Sequence, residues 1–92
     1  MVEYSRGMIS VERTMASDTP QRVVEYDAWF SDCNIHCLTN PLYYGSAGLQ
    51  AAPLPVGAYA WFRNGNLKDV FVRNFTGGAN GTIVAVYTPM RR

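Results

Sequence analysis

The chain has 92 residues, enough to close one hydrophobic core and no more, so a multi-domain enzyme is excluded. Seven acidic and eight basic side chains leave a formal charge of +1, too little for a sequence-independent grip on nucleic acid. With 48% hydrophobic and only 16% charged residues the chain is not disordered, and a domain this small is expected to borrow stability from a partner or an oligomer.

No stretch of eighteen apolar residues is present, so no membrane-spanning helix is expected. The residues behind Met1 (Glu3, Tyr4, Ser5, Arg6, Gly7) lack the apolar core of a signal peptide, and synthesis in a reducing cytoplasm is the expectation. Residues 1–7 read as an extended arm. In residues 8–15, Ile9, Val11, Arg13 and Met15 alternate with Ser10, Glu12 and Thr14, which predicts a strand, and Ser17-Asp18-Thr19-Pro20 reads as a hinge. Residues 1–20 are thus an N-terminal arm with a possible first strand, and residues 21–92 form a single β domain.

Residues 21–38 fit neither period cleanly. Alternation of Val24, Tyr26, Ala28 and Phe30 favours a strand over 21–30 and another near 35–38, with a helix over 21–30 as the alternative. Pro41, Pro53 and Pro55 exclude a helix in the middle, and Leu54-Pro55-Val56-Gly57 reads as a rigid turn feeding a strand. Strands are predicted over 58–62, 68–73 and 81–88, joined by turns at Asn64-Gly65 and in the glycine-rich Gly77-Gly78-Ala79-Asn80-Gly81. The expected class is all-β, a small antiparallel β-sandwich or jelly-roll-like barrel with the three C-terminal strands as a meander.

Chemistry-bearing residues are sparse. Cys33, His36 and Cys37 invite a zinc reading, but a structural zinc needs four ligands, the chain has no other Cys or His, and strand alternation would turn His36 away from both thiols. No metal or cofactor is therefore expected. The same alternation argues against a Cys/His dyad, and Asp18, Asp27, Asp32 and Asp69 read as turn residues, so no catalytic residue is assigned. Arg outnumbers Lys seven to one and 13% of the chain is aromatic, the bias of protein interfaces. The candidate interface residues are Tyr4, Arg6, Met8, Trp29, Tyr43, Tyr44, Trp61, Arg63 and Phe75. A sugar-binding aromatic platform is the rival use of the same rings.

From Asn40 onward, Leu42-Tyr43-Tyr44-Gly45, Pro53-Leu54-Pro55-Val56-Gly57, an alternating strand from Ala58, a valine-aromatic-valine strand around Val70-Phe71-Val72 and a Gly/Asn loop before a valine-rich strand follow one another. This order, over about half the chain, resembles small β-rich virion proteins of tailed bacteriophages. The resemblance implies a jelly-roll or Ig-like sandwich serving as a head decoration (cement) protein. Such a protein would bind the major capsid protein and stabilise the head, acting as a trimer, without direct contact to nucleic acid or membrane. The alternative function is a carbohydrate- or receptor-binding β-sandwich of a phage tail or a lectin-like protein.

Overall fold

The computed structural model describes residues 8–15, 19–74 and 80–90. Among them are eight strands: β1 (Ile9–Met15), β2 (Gln21–Arg22), β3 (Trp29–Thr39), β4 (Leu42–Ser46), β5 (Leu49–Leu54), β6 (Tyr59–Asn66), β7 (Phe71–Asn74) and β8 (Gly81–Pro89). A single 3-10 turn, Leu67–Asp69, lies between β6 and β7. Two four-stranded antiparallel sheets, ordered β1-β8-β3-β6 and β2-β7-β4-β5, face one another. The all-β expectation holds, and the architecture is a small β-sandwich.

Alternation creates the core. Along β3, Cys33, Ile35 and Cys37 are buried, and along β8 the buried set is Ile83, Ala85 and Tyr87. Leu42, Leu54 and Val72 of the second sheet meet them, with Met15, Phe30 and Leu67 filling the ends. Side chains of the opposite parity point outward, which leaves the outer face of each sheet to polar and half-exposed residues.

Several sequence expectations are corrected. The strand expected over 21–30 is only two residues long. Val23 and Val24 are both buried, which no half-buried strand can achieve with adjacent residues, because the chain leaves one sheet there and crosses to the other. The crossing is fixed by the Arg13 guanidinium, which donates to the Val23 carbonyl, and by the Val23 amide donating to the Val70 carbonyl at 3.0 Å. No helix forms over 21–30; instead one long strand, β3, covers the second predicted strand and the polar stretch before it.

Asn64-Gly65 is not a turn between strands but lies inside β6, where Asn64 takes a positive φ of 50° and Gly65 sits against the Phe30 ring. The turn comes later. Asn66 caps it, its side-chain oxygen accepting from the Lys68 amide at 3.1 Å and the Ala28 amide at 2.9 Å. That turn carries the chain to the other sheet, so β6, β7 and β8 are not a meander: β7 pairs with β2 and β4, and β8 lies between β1 and β3. The Leu54-Pro55-Val56-Gly57 turn is as expected, with Gly57 at φ 86° and the Ala58 amide donating to the Pro55 carbonyl at 2.9 Å. Tyr4, Arg6 and the rest of the proposed arm over 1–7, Ser17 and Asp18 of the hinge, Phe75, and all but Asn80 and Gly81 of the glycine-rich loop lie outside the described residues.

Candidate binding face

The outer face of the β1-β8-β3-β6 sheet is built row by row from the register. One row reads Ser10, Val86, Asn34, Trp61, and the next reads Glu12, Val84, His36, Tyr59. Thr88, Asp32 and Arg63 form a third row beside the first. The β3 positions are outward because Cys33, Ile35 and Cys37 between them are inward; this puts Asp32, Asn34 and His36 opposite Arg63, Trp61 and Tyr59 on the edge strand β6.

The rings are ordered rather than scattered. His36 stacks on Tyr59 with centroids 4.1 Å apart, and Tyr59 leads on to Trp61 at 6.2 Å with planes 24° apart. Trp61 is 71% exposed and Tyr59 54%, while Trp29 at the start of β3 is 43% exposed. Leu38 and Val56 add exposed apolar surface at the far end of the same strand pair, where the Gly57 amide donates to the Cys37 carbonyl at 2.8 Å. Five of the large exposed apolar side chains thus belong to β3, β6 or the turn entering β6.

A shallow pocket of about 540 Å³ lies at the β6 edge, lined by Asp32, Trp61, Phe62 and Arg63. Asp32 and Arg63 approach at 3.7 Å, both highly exposed, which makes them a solvent-screened pair of little energetic weight. Nearby, Asp27 is held below the usual carboxylate range by the Asn66 side-chain hydrogen bond and then by the Lys68 charge. Cys33 and Cys37 are buried, and burial pushes both thiols up, Cys33 to about 11. Thiols held protonated in the core are poor nucleophiles and poor metal ligands.

The structure sorts the candidate interface residues. Trp29, Trp61 and Arg63 share this outer face, and Met8 is exposed where β1 begins. Tyr43 belongs to the opposite sheet, under the Arg73 guanidinium. Tyr44, half-buried, turns inward and meets Phe62 edge-on with centroids 5.9 Å apart, so it packs the side of the core. His36, Asn34 and Tyr59, absent from the expected set, complete the face. The signal for them was the polar alternation Asp32, Asn34, His36 against Cys33, Ile35, Cys37.

No protein-family model matches the sequence, and no curated protein matches it. Solved structures share the fold. The chain superimposes on FeII HppE in complex with substrate with a TM-score of 0.67 at 11% identity, covering 89% of this chain and 46% of that one. For hydroxypropylphosphonic acid epoxidase from S. wedmorenis the values are 0.66, 12%, 92% and 45%, and for TT1209 from Thermus thermophilus they are 0.63, 17%, 89% and 72%. The chain therefore spans less than half the length of the epoxidase structures. These likenesses show a shared fold. An iron centre does not fit the residues present: among the described residues no three His, Cys, Asp or Glu side chains converge, His36 lies on the outer face, and the two thiols lie in the core.

Proposed function

We propose that the chain is a non-enzymatic structural protein of a phage virion, a head decoration protein that seats on the major capsid protein lattice through the β3–β6 face and works as a trimer. The observation that carries this reading is the ordered series His36, Tyr59, Trp61, with Trp61 71% exposed beside Arg63. Trp, Tyr and Arg are the residue types that dominate binding energy at protein interfaces. Covering them recovers roughly 25 cal/mol per Å² of apolar area, and a lattice repeats the contact many times. The phage-protein resemblance over the C-terminal half supplies the context.

The test is biochemical. Purified particles should hold the chain in fixed stoichiometry with the shell subunit, its release should lower their resistance to heat, and Trp61→Ala should reduce occupancy. Absence of the chain from particles defeats the reading.

A second reading has one observation in its favour. The pocket at the β6 edge offers a Trp61 ring for stacking with a carboxylate and a guanidinium alongside, which is chemistry suited to a sugar ring. Specific retention on a glycan array, lost in Trp61→Ala, would select it over assembly.

A further inference from the structure

The other outer face has a different chemistry. On the β2-β7-β4-β5 sheet, Arg22, Phe71 and Gly45 form one row and Arg73, Tyr43 and Pro53 the next. Phe71 and Arg73 are two residues apart on one strand, so the rows lie about 7 Å apart. The Arg22 guanidinium sits 4.8 Å from the Phe71 ring centroid, and that of Arg73 sits 4.3 Å from the Tyr43 centroid. All four side chains are half-buried, which holds the two cations against the sheet.

Stacking occupies the flat face of a guanidinium and leaves its N–H edge to donate. Arg22 commits one nitrogen, Nη1, to the Lys68 carbonyl at 2.8 Å. Among the described residues, no carboxylate pairs with Arg22 or Arg73; the ion pairs there are Arg63 with Asp32 and Lys68 with Asp27. Gly45 keeps the first row bare beside Phe71, since a Cβ at that position would fall on the Leu49 carbonyl oxygen. The face is thus a low, ring-backed surface with two preoriented cationic forks that, among the described residues, pair with no carboxylate.

We propose that this face binds an acidic protein segment, its carboxylates taking the Arg22 and Arg73 forks and its apolar parts lying over Phe71, Tyr43 and Pro53. Charge complementarity argues for the occupant. A carboxylate matches the fork bidentately, and stacking removes much of the entropy such a contact costs. A nucleic-acid track would need a longer run of cations than two forks on a chain of formal charge +1.

The probe is a fluorescent octaglutamate peptide titrated into the full chain, with a single-stranded DNA oligonucleotide as competitor. The expected result is saturable, salt-sensitive binding that weakens at least tenfold in the Arg22→Gln/Arg73→Gln variant and remains unchanged in Arg63→Gln on the opposite sheet. Arg22→Lys/Arg73→Lys keeps the charge and loses the fork, so it should weaken binding too, and it serves where the glutamine variant fails to fold. Failure of the native chain to bind the peptide overturns the proposal. So does equal binding by a folded double variant, or displacement of the peptide by DNA at a tenfold lower concentration.

Discussion

His36 lies flat against Tyr59, their ring planes within 7°, as a directly opposed pair across β3 and β6. One face of Tyr59 is therefore covered by the protein itself, while Trp61, the next outward residue on β6, stays largely uncovered. The stack sets where the tryptophan stands without burying it. Trp61→Ala should accordingly change unfolding free energy by less than about 1 kcal/mol, because little burial is lost. Its cost should appear in binding to the shell, at about 2 kcal/mol or more if Trp61 is a central anchor. Chemical denaturation and particle occupancy measured on one preparation separate the two.

Asn74 is the opposite case, a polar side chain that is 1% exposed. Its amide nitrogen donates to the Met15 carbonyl at 3.0 Å and its oxygen accepts from the Gly81 amide at 3.1 Å, joining the ends of β1, β7 and β8. Asn74→Ala leaves a buried carbonyl and a buried amide without partners, and a loss of about 2–4 kcal/mol is expected from thermal or urea unfolding. Asn74→Asp keeps the acceptor and loses the donor, and should also destabilise.

Gly81 and Gly48 make a matched pair. A Cβ on Gly81 would meet the Asn40 and Thr39 carbonyl oxygens at 2.8 and 2.9 Å, both backbone, whereas one on Gly48 meets nothing within 4 Å. Gly81→Ala should lower stability by about 1–3 kcal/mol, as overpacking does. Gly48→Ala should be neutral or raise stability by a few tenths of a kcal/mol through the unfolded state. A melting-temperature comparison of the two checks the close approach of β8 to the β3–β4 connection.

Cys33 gives a signed pH dependence. Its folded thiol keeps its proton up to about 11, above the ordinary 9.0, and burial raises Cys37 as well. Between those values the unfolded chain releases protons that the folded chain retains, so stability should fall as pH rises from about 9 toward about 11. Below about pH 9 this contribution is fully present. Urea midpoints at about pH 8, 9.5 and 10.5 should decline for the native chain and decline less for Cys33→Ala. At about pH 8 a thiol reagent should modify the native protein only as fast as it unfolds.

What the sequence revealed and what it concealed follow from the same alternation. β8 is legible because Ile83, Ala85 and Tyr87 alternate with β-branched residues over the whole strand. β3 is not, because its outward positions Asp32, Asn34 and His36 interrupt the apolar pattern, and its buried positions include two cysteines. The break in register around Ser31, where the pairing shifts between Phe30 and Asp32, puts the two halves of the strand out of phase. Trp29 and Trp61 are recognisable as interface types, but that they share a face with His36 depends on β3 pairing with β6, a long-range choice that local residues do not encode. Arg22 and Arg73 stay hidden in the sequence for the same reason: each meets its ring across a sheet whose strand order interleaves distant segments.

The pairing of Ile9 with Tyr87 brings the first and last described strands together at one rim, with the Met90 amide donating to the Trp29 carbonyl at 2.9 Å beside them. The start of β1 and the end of β8 are thus neighbours. A short linker running from Met90 to Met8, with new ends opened in the tight β4–β5 connection at Ala47-Gly48, would preserve every strand pair of both sheets. Such a permutant would display a fused peptide from the β4–β5 hairpin instead of from the rim where β1 and β8 meet.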